Sequence, residues 1–225
     1  IDISLYVIIK ICQALNYARN KVDKDLNESQ GIIHGNIVPE NIYIGFDGEI
    51  TLTGFSSPNH ISPTSDHVLY IAPEIVRNEE SDHKSDQFSV ATILWKMLCN
   101  RTPLKSNRVH CLADIVNGTS DSLPSPSSCN LNSPTELDQV ITKALSPNKE
   151  NRFESIEIFE KELIGILNKH FHDFNPEDIA RFAISLFEEE IRAERVFFNE
   201  CAQIELSPFY EELEQENETK KKATN

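Results

Sequence analysis

The chain has 225 residues, of which 39% are hydrophobic, and a formal net charge of −15 from 36 acidic and 21 basic side chains. This length fits one large domain or two small ones, with enough apolar residues to build a core. So negative a chain is poorly suited to nonspecific binding of nucleic acid or of anionic lipid. We therefore expect no nucleic-acid partner.

The cysteines and histidines argue against a structural metal site and against a disulfide framework. The 5 cysteines are odd in number and include no Cys-X-X-Cys pair, and the 7 histidines show no His-Glu-X-X-His spacing. This usage is typical of a reducing compartment, so we expect a cytoplasmic protein. No apolar run approaches the roughly 18 residues that a membrane span needs, and we expect no span in this chain. Residue 1 already lies in a helical pattern, so we expect the chain to be a fragment that begins inside a longer protein.

The first part of the chain predicts a helix followed by a hairpin. Apolar side chains around much of the circumference predict a buried helix over about residues 2–20. The polar stretch 21–31 ends in Gly and predicts a surface loop. An Asp-Gly pair at 47–48 separates two alternating segments, which predicts a hairpin with strands at 42–44 and 50–53.

Helical patterns dominate the rest of the chain. Residues 86–99 are strongly apolar and predict a central buried helix, with Trp95 and Met97 packed in the core. The sequence Asn-Pro-Glu-Asp at 175–178 predicts the start of a helix that runs to about residue 200. The remaining segments are predicted as loops at 56–67, 101–108 and 118–134, as helices at 109–117, 134–145 and 153–168, and as a disordered polar end from 211.

Short motifs in order along the chain resemble those of protein kinases. Residues 34–41, His-Gly-Asn-Ile-Val-Pro-Glu-Asn, resemble the kinase catalytic loop, usually His-Arg-Asp-Leu-Lys-Pro-Glu-Asn. Gly-Phe-Ser at 54–56 stands where the family has Asp-Phe-Gly, and Ala-Pro-Glu at 72–74 matches the family motif. Asp86 opens the apolar helix as the family's buried Asp does. Arg152 resembles the late Arg that pairs with the glutamate of Ala-Pro-Glu.

The resemblance implies a mainly α fold, with a protein-kinase-like C-terminal lobe and a small β-hairpin over residues 1–168. A C-terminal helical extension over 169–205 and a polar tail over 206–225 follow. The polar insert before the catalytic loop and the short loop before Ala72 resemble bacterial serine/threonine protein kinases in particular. Nothing in the chain resembles the family's N-terminal lobe, since no Gly-X-Gly-X-X-Gly occurs.

Positions that handle charge in the family carry other residues here. By the resemblance, the base position is Asn36, the loop Lys is Val38 and the Asp that holds Mg²⁺ is Gly54. The Arg that receives an activation-loop phosphate in many kinases is Gly35. Asn41 alone is retained from the metal-binding set. The resemblance therefore assigns Asn36 and Asn41 to catalytic positions and Asn41 and Gly54 to cofactor-binding positions, with no metal site.

Positions that hold the family's fold together keep their residue types. The resemblance implies that His34 packs beside Phe55. It also implies that the Asp86 carboxylate accepts backbone N–H bonds near His34, and that Glu74 forms a buried ion pair with Arg152. Residues that maintain the fold are thus retained, while residues that handle charge are lost.

Three functions fit this combination. The first is a pseudokinase with a regulatory or scaffolding role, which acts on a protein partner and uses no cofactor. The second is an active serine/threonine protein kinase whose N-terminal lobe lies upstream, and only this alternative requires ATP and Mg²⁺. The third is a truncated gene product with no function of its own. The exposed top of the lobe and the helix at 176–200 are the candidate partner surfaces, and the alternative for the helix, which we favour, is packing on its own lobe.

Overall fold

The structure, a computed structural model, describes residues 1–23, 28–29, 31–55, 69–100 and 123–203. The chain divides into two compact units, Ile1–Arg181 and Phe182–Asn225. The fold is mainly helical with a small antiparallel hairpin, which confirms the predicted fold class. The segments predicted at 56–67, at 101–117 and from 211 onward lie outside the described residues.

The first helix, α1, spans Asp2–Asn20 and confirms the prediction. The polar stretch after it was predicted as a plain loop, and this is wrong in part, because it contains two paired strands. Strand β1 (Val22–Asp23) and strand β2 (Glu28–Ser29) are two residues each and pair antiparallel. Because these strands are so short and polar, the sequence shows no hydrophobic alternation from which they could be predicted.

The predicted hairpin is present. Strand β3 (Ile42–Ile44) pairs antiparallel with strand β4 (Ile50–Leu52), with Ile42 opposite Leu52. Gly48 lies in the turn with φ +83°, a conformation that favours glycine. A 3₁₀ turn over Pro39–Asn41 leads directly into β3.

After a short helix α2 (Pro73–Val76), the central helix α3 spans His83–Cys99. It begins three residues before the predicted start because Asp82 caps it. The Asp82 carboxylate accepts a hydrogen bond from the Lys84 N–H, and the Ser85 hydroxyl accepts one from the Asp82 N–H. Trp95 is buried as predicted, but Met97 is 39% exposed, so its placement in the core is wrong.

The remaining helices follow the predicted pattern with two exceptions. The predicted surface connection at 118–134 contains a one-turn helix, where the Ser125 hydroxyl accepts a hydrogen bond from the Ser128 N–H. The single helix predicted to about residue 200 is two helices, because the backbone leaves the helical region at Phe187. The helices are α4 (Pro126–Cys129), α5 (Glu136–Ala144), α6 (Ile156–His170), α7 (Glu177–Leu186) and α8 (Glu188–Ala202).

The core of the first unit lies where α1 packs against α6 and α3, and where α5 packs against α3 and α6. Its fully buried large side chains include Leu5, Ile8, Leu94, Trp95, Leu137, Phe159 and Leu163. Among the described residues, no helix combines the length and the apolar character that crossing a membrane would require.

Candidate functional site

The turn over residues 34–41 is anchored to the core by apolar side chains. Ile37 and Val38 are both buried and belong to the same hydrophobic cluster as α1 and α3. Val38 occupies the position of the loop Lys, so a residue that carries charge in kinases is here part of the core. Pro39 then starts the 3₁₀ turn that leads to Asn41.

His34 is buried and serves as a packing and hydrogen-bonding residue. The Asn36 N–H donates to His34 Nδ1 at 3.2 Å, so that nitrogen is an acceptor without a proton. His34 Nε2 lies 2.9 Å from the Thr53 carbonyl oxygen and therefore carries the proton that it donates. Its ring lies 4.3 Å from the Phe55 ring, between centroids. Burial lowers the pKa of His34 against the opposing effect of the Thr53 hydrogen bond, so the ring is neutral near pH 7.

Asp86 fixes the start of the same turn. Its carboxylate accepts the N–H groups of His34 and Gly35, each at 2.8 Å. Gly35 has φ +72°, so this backbone path suits glycine rather than the Arg of the family motif. Burial raises the pKa of Asp86 to about 6, although the two N–H bonds act in the opposite direction.

Asn41 lies against Gly54, which occupies the metal-ligand position. The Asn41 side-chain amide donates to the Asn36 carbonyl at 2.8 Å, and the Asn41 carbonyl accepts the Thr53 N–H at 2.9 Å. A Cβ built on Gly54 would lie only 2.6 Å from Asn41 Nδ2 and 3.0 Å from Asn41 Oδ1. Gly54 also has φ +84°, so a side chain there would be strained as well as crowded. A side chain at this position requires the Asn41 amide group to move.

A second cluster lies at the start of α3. Arg152 donates from Nη1 and Nη2 to the two oxygens of Glu74, both at 2.7 Å, and neither side chain is exposed. The Ser85 hydroxyl donates to Glu74 at 2.8 Å, and the Arg152 guanidinium lies over the Phe88 ring. Burial acts to raise the pKa of Glu74, but the hydrogen bonds and charge of Arg152 outweigh it and lower that pKa.

The structure brings the sequence-predicted residues into two groups. His34, Asn36, Asn41, Gly54, Phe55 and Asp86 form one continuous set of contacts. Glu74 and Arg152 form the other. Ser85, the residue before Asp86, connects the two groups through its hydrogen bond to Glu74. Sequence reasoning missed Thr53, which contacts both His34 and Asn41. It also missed Ser85, whose spacing from Asp82 is a capping-box signal that could have revealed it.

A family model for the protein kinase domain matches residues 7–164. The chain belongs to the protein kinase family. Bacterial kinases are among its curated relatives: the match to the tyrosine-protein kinase MasK of Myxococcus xanthus is 24% identical and covers 87% of this chain and 31% of the relative. The match to the serine/threonine-protein kinase PknB of Mycolicibacterium smegmatis is 27% identical and covers 72% of this chain and 26% of the relative. PknB of Mycobacterium tuberculosis is 26% identical over 73% of this chain and 26% of its own length.

This kinase-family chain thus spans about a quarter to a third of the length of these curated relatives. The match to the family model includes the turn at 34–41, the β3–β4 hairpin and the central helix α3. The match to the kinase domain accounts for the order of the motifs, from the turn at 34–41 to Arg152.

The residues at the family's magnesium position do not fit a magnesium ion. Mg²⁺ prefers carboxylate and phosphate oxygens in near-octahedral geometry. Gly54 offers no side-chain oxygen, and Asn41 offers one neutral amide oxygen on a side chain already hydrogen-bonded to Asn36. Within the described ranges, no group of three or more His, Cys, Asp or Glu side chains is arranged to bind a metal.

Proposed function

We propose that this kinase-family chain is a pseudokinase module with a regulatory or scaffolding role, which acts by binding a protein partner. The observation that carries the proposal is the contact between Asn41 and Gly54. The metal-binding position has no carboxylate, and the amide group of Asn41 lies 2.6–3.0 Å from the place that a Cβ on Gly54 would take. Phosphoryl transfer depends on Mg²⁺ to position the phosphates and neutralise their charge, so this arrangement removes a central requirement of catalysis.

The base position supports the same proposal. Asn36 is a neutral amide in place of the Asp that accepts the substrate proton, and loss of a positioned base costs about 10²–10⁴ in rate. Val38 supplies no charge to a transferring phosphate because its side chain is apolar, and it is buried in the core. The turn is held in place by His34, which is hydrogen-bonded to Thr53, and by Asp86, which accepts the N–H groups of His34 and Gly35.

A partner surface is available on the hairpin. Tyr43 is 60% exposed, and Ile44 and Phe46 are also exposed on the strand and turn that follow Asn41. Adjacent exposed apolar side chains are typical of interaction sites. We propose this exposed part of the hairpin, at the top of the lobe, as the surface that binds the partner.

A second candidate function is an active serine/threonine protein kinase whose N-terminal lobe lies upstream of this chain. The intact packing of His34 on Phe55 favours it, because a loose phosphoryl-transfer transition state depends more on positioning than on a strong base. This alternative requires ATP and Mg²⁺, and therefore requires metal ligands other than Gly54, which has no side chain.

Labelled-phosphate transfer from ATP distinguishes the two. The polypeptide encoded by the complete reading frame around this chain is incubated with Mg²⁺, labelled ATP and a mixture of Ser, Thr and Tyr peptides. We expect the wild type to transfer no more phosphate than its Asn41→Ala variant, which lacks the last side chain of the metal set. Transfer that exceeds that of Asn41→Ala by tenfold or more would overturn the pseudokinase proposal.

A further inference from the structure

The start of α7 lies directly on the turn of the β3–β4 hairpin. A Cβ built on Gly48 would lie 3.2 Å from the Ala180 backbone nitrogen and 3.4 Å from the Ala180 Cβ. The backbones therefore approach so closely that glycine alone fits without displacement. The positive φ of Gly48 favours glycine for a second reason.

Buried side chains next to this contact attach the start of α7 to the lobe. Ile179 is fully buried, and the Phe174 ring lies 5.2 Å from the ring of Tyr6 on α1. The Asn175 side chain accepts the Glu177 N–H at 3.0 Å and so orders the first turn of the helix. We call residues 174–180 the docking segment.

The opposite end of the hairpin carries the candidate site. Asn41 precedes β3, Thr53 follows β4, and Thr53 donates both its N–H and its hydroxyl to the Asn41 carbonyl. Strands of three residues are too short to be stable by themselves, so a hairpin of this size depends on what packs against it.

We propose that the docking segment is a positioning element for the Asn41–Gly54 contact: by packing on the hairpin turn it fixes the hairpin and, through it, the geometry of the site. Release of α7 from the turn then loosens the site, so an event on the C-terminal extension is transmitted to it. The proposal stands whether or not the chain transfers phosphate, because it concerns only the geometry of the site.

Amide hydrogen exchange, measured by NMR on the full chain, tests this with two tryptophan variants. Ala180→Trp places a large ring at the contact with Gly48. Arg181→Trp places the same ring one residue further on, at an exposed position. We expect exchange of the Thr53 amide to rise about tenfold in Ala180→Trp and to stay within about twofold of wild type in Arg181→Trp. The Asn41 side-chain amide signals should shift in Ala180→Trp only.

A glycine pair provides a second test that needs no bulky ring. Gly48→Ala and Gly31→Ala both place Ala at positive φ, but the added methyl group meets Ala180 in the first variant and open space in the second. We expect faster Thr53 exchange in Gly48→Ala than in Gly31→Ala, with exchange in α3 the same in both. Thr53 exchange that is unchanged in Ala180→Trp and equal in the two glycine variants would overturn the proposal. So would an equal rise in α3, because the effect would then be general unfolding.

Discussion

At the scale of single residues, Asn41 and Gly54 together change the chemistry of the catalytic turn. Asn41 is the one residue retained from the family's metal-binding set, yet its side chain is bonded to Asn36 and packed against the Gly54 backbone. The loss of the Asp is therefore more than the loss of one ligand. The neighbouring side chain occupies the space, and a simple reversion would meet it.

Stability measurements on alanine variants test this crowding. Gly54→Ala and Gly31→Ala both place a side chain in the left-handed conformation, which destabilises the folded state by about 1–2 kcal/mol. Gly54→Ala also meets the Asn41 amide, whereas Gly31→Ala meets no atom within 4 Å. We expect Gly54→Ala to lower the free energy of unfolding in urea by a further ~1–3 kcal/mol, as overpacking does.

A double-mutant cycle identifies Asn41 as the cause. In Asn41→Ala/Gly54→Ala the crowding atoms are gone, so the two changes together should cost less than the sum of the single changes. Equal destabilisation by Gly54→Ala and Gly31→Ala, with additive effects in the cycle, would show that the space beside Gly54 is free.

The buried ion pair between Glu74 and Arg152 gives a second prediction. Glu74→Gln leaves the Arg152 guanidinium buried without its counter-charge, and we expect a loss of about 3–5 kcal/mol in the free energy of unfolding. Glu79→Gln is the matched control, because Glu79 pairs with Arg77 at the exposed surface, where ion pairs contribute little. Similar midpoints for the two variants in urea unfolding would contradict the importance of the buried pair.

The contribution of Asp86 to the free energy of unfolding depends on pH. Its pKa is raised from an ordinary 3.8 to about 6 by burial, so the folded state binds the proton more tightly than the unfolded state does. Its contribution to stability is therefore fully present below about pH 4 and is lost as the pH rises through 6. The shift of about two pKa units corresponds to roughly 3 kcal/mol.

Comparison with Asp86→Asn isolates this contribution, because the variant cannot titrate at that position. We expect the wild-type free energy of unfolding to fall relative to that of Asp86→Asn between pH 4 and pH 7. A difference between the two proteins that is constant over this range, or that grows with pH, would contradict the raised pKa.

At the scale of secondary-structure elements, the cap of α3 positions both contact clusters. Asp82 starts the helix that carries Ser85 and Asp86, and its carboxylate also forms an ion pair with Lys149 at 3.0 Å. Asp82→Ala removes the cap, and we expect it to lower the free energy of unfolding by about 1–2 kcal/mol. Asp173→Ala, at a highly exposed position, should leave thermal unfolding unchanged. Equal unfolding midpoints in the two variants would argue against the cap.

Elements with a strong local pattern could be predicted from the sequence. The alternation on either side of Asp-Gly predicted β3 and β4, and the apolar periodicity predicted α1 and α3. The break at Phe187 could not be predicted, because neither Gly nor Pro marks it and the apolar pattern continues through it. The exposure of Met97 depends on which part of α3 the neighbouring helices leave uncovered, and the sequence of one helix does not contain that information.

The same limit applies to the candidate site. The order of the motifs predicted which residues meet, because each matches a family position. It did not predict that Asn41 fills the space beside Gly54, or that Ala180 lies on Gly48. Both facts depend on the packing of segments that are distant in the sequence.

At the scale of the whole molecule, the chain combines a kinase-family lobe with a substituted site. The family match over residues 7–164 and the helices around α3 account for the fold, and the buried contacts of His34, Asp86, Glu74 and Arg152 maintain it. By the motif resemblance, Asn36, Val38 and Gly54 stand at positions where the family has charged residues. Because the fold does not depend on those charges, they can be lost while the lobe stays stable.

The measurement that tests this account most directly is thermal unfolding of the full-length polypeptide with ATP, in parallel samples with Mg²⁺ and with a chelator. A ligand that binds the folded state stabilises it by RT ln(1 + [L]/Kd), and so raises the unfolding temperature. Because Gly54 supplies no ligand and Asn41 offers only one neutral amide oxygen, we predict the same unfolding temperature in the two samples, whether or not ATP itself binds. The claim that this site holds no Mg²⁺ would be contradicted if the unfolding temperature were higher in Mg²⁺ than in chelator by more than about 2 °C, and only when ATP is present.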